Sequence, residues 1–355
     1  MRTLFTDKLM GIILQLNKNQ KSCLTYKRYL YANYFLARQP IESQCVSRSP
    51  ADRRYLAHRL HQTGGVLGRA DRSCWRCHRQ RRHLEQLLLI MTLHQFDRMV
   101  VEDEGDGPVV VCVHGLGGTS NSFSPLMPAL ARNRVIRVDL PGSGRSQHAE
   151  GPLSIERFVQ ALLSMCNRLG VARADWIGHS MGTIVCQHVA IAHSSLVQSL
   201  ALFGPLMEPA EPARAGIRLR AAKARNEGVA GMQEITNTLL SVAVSNDTRQ
   251  RLPLACAFVR ESLMRQDGEN YARTCDALAD AQAARVESIR APVLLVTGDE
   301  DSVAPPQAVR SMTEKLHAAR STRVEVLARC GHWTPIERPD ECQRALRDFY
   351  ATSRS

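Results

Sequence analysis

A chain of 355 residues can hold one large α/β domain with an insertion, or two ordinary domains, and its 44% hydrophobic and 23% charged residues are the balance of a globular protein, not a disordered one. The formal charge of +12 invites a nucleic-acid reading, yet residues 1–90 hold 17 Lys or Arg against 5 Asp or Glu, while residues 91–355 hold 29 of each. The larger part is electrically balanced, which excludes a general basic surface for nucleic acid there, and no run of 18 or more apolar residues reads as a membrane span.

Residues 1–90 form a basic, irregular N-terminal extension in which apolar residues keep neither helical nor alternating periodicity. The short apolar run Leu9 to Leu16 lacks the flanks of a secretory signal. Cys74-Trp75-Arg76-Cys77-His78 has the spacing that attaches a c-type haem, but no export signal or second axial ligand accompanies it, so it reads as a coincidence of a short pattern. From Met91 onward the composition becomes that of an ordinary globular enzyme, and translation starting at Met91 is the corresponding expectation. A basic targeting or nucleic-acid-binding arm is the alternative, and Asp7, Glu42 and Asp52 weigh against an Arg-rich transit peptide. The 11 cysteines are scattered, and Cys112, Cys186 and Cys256 sit among apolar neighbours, which predicts free thiols and a reducing, cytoplasmic setting.

A strand is predicted from Phe96 to Glu104, followed after Asp106-Gly107-Pro108 by Val109-Val110-Val111-Cys112-Val113. That continuous run predicts a strand buried on both faces of a mostly parallel sheet. It opens into His114-Gly115-Leu116-Gly117-Gly118, where glycines let backbone N–H groups turn toward an oxyanion. A strand over Arg134–Leu140 enters the Pro141–Ser146 loop; Ser154 is placed to cap a helix with Phe158, Leu162, Leu163 and Cys166 on its buried stripe.

Gly178-His179-Ser180-Met181-Gly182 lies between the strand-like segment Ala174–Ile177 and a helix-forming run from Thr183. In that context G-x-S-x-G predicts a sharp strand-to-helix turn that lifts the Ser180 hydroxyl out of the sheet, with the two glycines allowing close backbone approach. A strand over Val197–Phe203 follows. The alternation of strand and helix is that of a doubly wound sheet. Residues 91–206 thus read as the first part of a core, and 207–289 as a helical cap, with helices over Pro212–Glu227 and Asp267–Arg285. Residues 290–355 complete the core: strands over Pro292–Thr297 and Arg323–Ala328, and a helix over Pro339–Thr352.

His114-Gly115, Gly178 to Gly182, Gly298-x-x-Asp301 and Gly331-His332, with Ser, Asp and His at successive strand ends, together resemble the α/β-hydrolase superfamily over residues 95–350. The segments Ala224–Gly228, Gly231-Met232 and Asn270–Leu278 look like the cap of 3-oxoadipate enol-lactonases and related lactonases and esterases. Leu240–Val244 departs from those lactonases, which tend to carry an aromatic pair there.

The resemblance implies a cofactor-independent serine hydrolase acting on a small ester or enol-lactone, with no metal. Ser180 would be the nucleophile, His332 the general base and Asp301 its orienting acid; the backbone N–H groups of Leu116 and Met181 would receive the oxyanion. Asp299, or an acid near Glu208 after the preceding strand, are alternative acids. His114 and His179 are expected to be structural. Arg214, Arg218 and Arg225 share one stripe at helical spacing and would either offer positive charge to an anionic substrate or form a solvated face. The partner implied is a small-molecule ester or lactone, not nucleic acid or a membrane. The alternative functions are carbon–carbon bond hydrolysis of ring-cleavage products with the same triad, and ligand binding without catalysis.

Overall fold

The computed structural model describes residues 91–146 and 150–353. The basic extension over residues 1–90 and its Cys74–His78 motif lie outside the described residues.

Eight strands form one sheet: β1 (Thr92–Phe96), β2 (Met99–Glu104), β3 (Val109–Val113), β4 (Arg134–Asp139), β5 (Ala174–His179), β6 (Val197–Phe203), β7 (Val293–Gly298) and β8 (Thr322–Leu327). Their order is β1-β2-β4-β3-β5-β6-β7-β8. β1 and β2 pair antiparallel, as do β2 and β4, and every other pairing is parallel.

The valine run of β3 behaves as a strand buried on both faces. Val111 and Val113 join one apolar cluster with Trp176, while Val110 and Cys112 join the other with Ile177, because successive side chains leave a strand on opposite sides. Helices α1 (Ile155–Arg168) and α2 (Met181–Ala192) contribute Phe158, Leu162 and Ile184 to the first cluster. A 3₁₀ segment, Ser120–Ala129, and the C-terminal helix, Pro339–Ser353, contribute Phe123, Leu126, Leu346 and Phe349 to the second. Ser154 caps α1 by accepting the Arg157 N–H at 3.2 Å. Leu163, expected on the buried stripe, is only half-buried.

The strand expected over Phe96–Glu104 is a hairpin instead. The chain reverses at Asp97 (φ 48°) and Arg98 (φ 70°), two left-handed residues that supply the tight turn between β1 and β2. Asp-Arg lacks the glycine that usually marks such a turn, so the sequence carries no turn signal there.

Between β6 and β7 the chain leaves the sheet for four helices: α3 (Glu211–Val242), α4 (Asn246–Arg251), α5 (Pro253–Met264) and α6 (Gly268–Ala279). α3 runs past the expected end at Glu227, broken by Gly228 at φ 53°, ψ −125°. Only glycine adopts that conformation freely, so the sequence marks a break in direction between two helical arms. The helix expected over Asp267–Arg285 is α6, which begins at Gly268 with Asp267 as its cap, accepting the Asn270 N–H, and stops at Ala279 instead of Arg285. The Arg214 guanidinium takes the Ala279 and Ala281 carbonyls (2.5 and 2.9 Å) and Arg218 takes the Asp280 carboxylate (2.6 Å), which satisfies the end of the helix from outside. Ile217, Ala221, Tyr271, Cys275 and Leu278 continue the first apolar cluster into this insertion.

Two short helices complete the second half of the core, α7 (Pro306–Lys315) and α8 (Thr334–Glu337), before the C-terminal helix, α9 (Pro339–Ser353).

Candidate active site

Ser180 stands between β5 and α2 with φ 52° and ψ −123°, a backbone conformation that side-chain-bearing residues rarely adopt. The flanking glycines make the turn possible. A Cβ on Gly182 would overlap the Val113 carbonyl oxygen, and one on Gly178 would lie 2.8 Å from the Gly182 oxygen. The Ser180 N–H is held by the Phe203 carbonyl at 2.9 Å, so neighbouring strand β6 supports the strained turn.

Ser180 Oγ donates to His332 Nε2 at 2.8 Å, and His332 Nδ1 donates to the Asp301 carboxylate at 2.9 and 3.1 Å. All three residues are buried, Ser180 at 8% exposure. Asp301 also accepts the Val303 and Ala304 N–H groups at 2.8 Å. Burial opposes its charge, but the His332 imidazole and those two N–H groups outweigh it and hold the carboxyl below its ordinary range. Asp301 is thus ionised and fixes the imidazole tautomer that leaves Nε2 free to accept the serine proton.

The alternative acids are engaged elsewhere. Asp299 accepts the Cys330 N–H at 3.0 Å, and Glu208 pairs with Arg214 at 2.8 Å.

His332 is braced from behind. Gly204, at φ 56°, lies so close that a Cβ there would approach the imidazole Nδ1 to 2.9 Å. The His332 backbone N–H donates to Ala243 O at 2.8 Å. The buried Glu337 carboxylate accepts the N–H groups of Ser245, Gly331 and Trp333 at 2.9, 3.0 and 3.1 Å. No periodicity or motif in the sequence singles out Glu337.

The loop after β3 lies against the serine: a Cβ on Gly115 would come within 2.7 Å of the Ser180 Cβ. His114 sets its shape. Nδ1 donates to Gly115 O at 2.8 Å and Nε2 accepts the Leu140 N–H at 2.9 Å, and burial lowers its pKa so that the ring stays neutral. Because C=O and N–H point oppositely across a trans peptide, fixing Gly115 O also fixes the Leu116 N–H. Met181 is the first residue of α2, where the N–H has no carbonyl partner within the helix. The Met181 N–H, on the residue after Ser180, and the Leu116 N–H, on the loop that packs against Ser180, are donors of the kind that nucleophilic attack on a carbonyl uses beside a serine paired with an imidazole.

His179 is packed beneath the turn. Its Nε2 donates to His332 O at 2.9 Å, and burial, with His332 close by, pushes its pKa down to about 3.

The three cap arginines are not free charges. Besides its carbonyl partners Arg214 pairs with Glu208 and Glu211; Arg218 pairs with Asp280; Arg225 pairs with Glu269 and Asp276, each at 2.9 Å. They clasp α3 to α6, so their stripe of charge is neutralised within the cap, which does not support the expectation that they meet an anionic substrate.

Among the described residues no group of three or more His, Cys, Asp or Glu is arranged to hold a metal ion, and no helix is long and apolar enough to cross a membrane. Seven described cysteines are free; burial pushes the Cys112 thiol up to about 12, which makes it an inert apolar side chain.

The chain is similar in sequence and fold to known hydrolases. The chain is 27% identical over 262 residues to a 2-hydroxymuconate semialdehyde hydrolase of Pseudomonas putida, covering 72% of this chain and 91% of that protein. It is 28% identical over 271 residues to a 3-hydroxybutyrate-oligomer hydrolase of Cupriavidus necator, covering 68% and 86%. The enol-lactonase structure from Burkholderia xenovorans LB400 superposes with a TM-score of 0.66 at 27% identity, covering 73% of this chain and 100% of that one. The sequence model of the alpha/beta hydrolase family matches residues 110–345, and with the strand order and the serine turn this establishes that the chain belongs to that family.

Proposed function

We propose that the protein is a serine hydrolase that cleaves a small ester or enol-lactone by acyl transfer. The observation that carries the reading is the unbroken buried line from Ser180 Oγ through His332 to Asp301, with spacings of 2.8 and 2.9 Å. Ser180 Oγ bonds to the substrate carbonyl carbon while its proton passes to His332 Nε2, and the carbonyl π pair moves onto oxygen, where the Leu116 and Met181 N–H groups receive it. The tetrahedral intermediate collapses, the carbon–oxygen bond to the leaving alkoxide breaks, and His332 returns the proton to that oxygen. Water then repeats the sequence on the acyl-serine and releases the acid. Every step uses side chains and backbone of this chain, and Asp301 stabilises the imidazolium without taking its proton.

The likeness to an enol-lactonase structure supports the lactone and ester class. The likeness to a hydrolase of 2-hydroxymuconate semialdehyde supports a second reading, carbon–carbon bond hydrolysis of a ring-cleavage product at the same triad.

The test is treatment of the full-length protein with a fluorophosphonate probe, read by intact mass and peptide mapping. One adduct on Ser180, absent from Ser180→Ala, is the expected result. A folded protein that takes no label overturns the acyl-transfer reading and favours a ligand-binding role. A panel of 4-nitrophenyl esters, enol-lactones and dienol ring-cleavage products then separates the two catalytic readings by kcat/KM.

A further inference from the structure

Gln266, in the short connection between α5 and α6, is buried at 6% exposure and ties three segments together. Its Oε1 accepts the Gly144 N–H at 3.1 Å, from the Pro141–Ser146 loop. Its Nε2 lies 3.3 Å from Gly117 O, 3.4 Å from Gly118 O and 2.9 Å from Ser262 O. Ser262, one turn earlier on α5, donates from Oγ to Gly117 O at 2.7 Å and is also buried. Two cap side chains therefore grip the loop that follows β3, almost 150 positions away in the chain.

The grip passes to the reacting centre through peptide planes. A trans peptide carries its C=O and N–H on opposite sides. The unit joining Gly117 to Gly118 turns its carbonyl to Ser262 and Gln266 and its N–H to Gly115 O at 3.0 Å. The unit joining Gly115 to Leu116 holds that oxygen between the Gly118 N–H and the His114 Nδ1–H, and so directs the Leu116 N–H the other way. Gly117 makes the turn at φ 74°, with Leu263 and Tyr271 of the cap packed where a Cβ would stand.

We infer that Gln266 and Ser262 are positioning residues through which the cap sets the direction of the Leu116 N–H toward the substrate oxyanion. The inference rests on the acyl-transfer reading. It makes the cap more than a cover for the site: displacement of α5 releases the Gly117 peptide and with it the oxyanion donor.

The experiment is the second-order rate of fluorophosphonate labelling at Ser180, with kcat and KM for 4-nitrophenyl acetate, in native protein, Gln266→Leu, Ser262→Ala and Ser262→Thr, alongside thermal unfolding. Gln266→Leu and Ser262→Ala are expected to label about 10- to 100-fold and about 3- to 10-fold more slowly, with the loss in kcat and KM within about twofold. Ser262→Thr, which keeps the hydroxyl, is expected to recover the native rate. A merely structural role would lower the melting temperature and leave the rate per folded molecule intact; that outcome overturns the inference while leaving the acyl-transfer reading in place. Absence of labelling in the native protein overturns both. Should Gln266→Leu fail to fold, the Ser262 pair decides, and equal rates for Ala and Thr reject the inference.

Discussion

Glu337 straddles His332. Its carboxylate accepts the backbone N–H on either side of the histidine, from Gly331 and Trp333, and a third from Ser245, where the cap chain passes. A buried acceptor serving three donors cannot be removed without stranding them. Glu337→Gln is expected to destabilise the fold by about 2–4 kcal/mol, since an amide NH₂ would face a backbone N–H and leave it unsatisfied. Urea unfolding measures this, and an unchanged midpoint would show that the carboxylate does not hold the histidine loop.

Ser180 lies in a region of backbone space that disfavours any Cβ. Ser180→Ala and Ser180→Gly both remove the hydroxyl, so both should abolish labelling, but the glycine variant relieves the strain. It is expected to be more stable than the alanine variant by about 1 kcal/mol. Equal denaturation midpoints would mean that the turn is not strained.

The buried His179 couples stability to pH. Its pKa falls from about 6.5 in the unfolded chain to about 3 in the fold. Between those values the unfolded chain holds a proton that the native one does not. Stability therefore falls as pH drops from 6.5 toward 3, by up to about 1.4 kcal/mol per pH unit from this residue. His332, Asp301 and His114 are the charged or titratable groups acting on it. His179→Phe is expected to be less stable than native at pH 7.5, because His332 O loses its donor, yet to show a flatter decline between pH 6.5 and 4. A decline as steep as native in chemical denaturation would reject the assignment.

The cap arginines differ in depth and so in consequence. Arg225 is 39% exposed on its side chain, and screened pairs of that kind contribute about 0–1 kcal/mol. Arg225→Ala is expected to shift stability by no more than that, and to leave KM for an anionic ester unchanged. Arg214, 13% exposed and holding two carbonyls as well as two carboxylates, is expected to cost about 2 kcal/mol when replaced by Ala. A large rise in KM for anionic substrates alone in either variant would restore the substrate-binding expectation.

The parts of this molecule legible in its sequence are those that local backbone geometry imposes. Five consecutive apolar residues in β3 can only satisfy a strand with both faces covered, Gly-x-Ser-x-Gly after a strand leaves room for a single tight turn, and Ser154 ahead of an amphipathic stripe marks a helix start. The order Ser180, Asp301, His332 could be read because each follows a strand. What only the tertiary structure decided are relations between residues far apart in the chain. Asp301 and Asp299 are two positions apart and equally acidic, and the difference is that Asp299 is occupied by the Cys330 N–H while Asp301 faces His332. The arginine stripe showed its spacing in the sequence, but not the carboxylates of α6 that neutralise it. Gln266 and Glu337 have no local signature, because their work is to satisfy backbone groups that meet only when the strand ends and the cap converge. Periodicity reports which face of an element is buried; it carries no information about which distant N–H or C=O a buried polar side chain will find there.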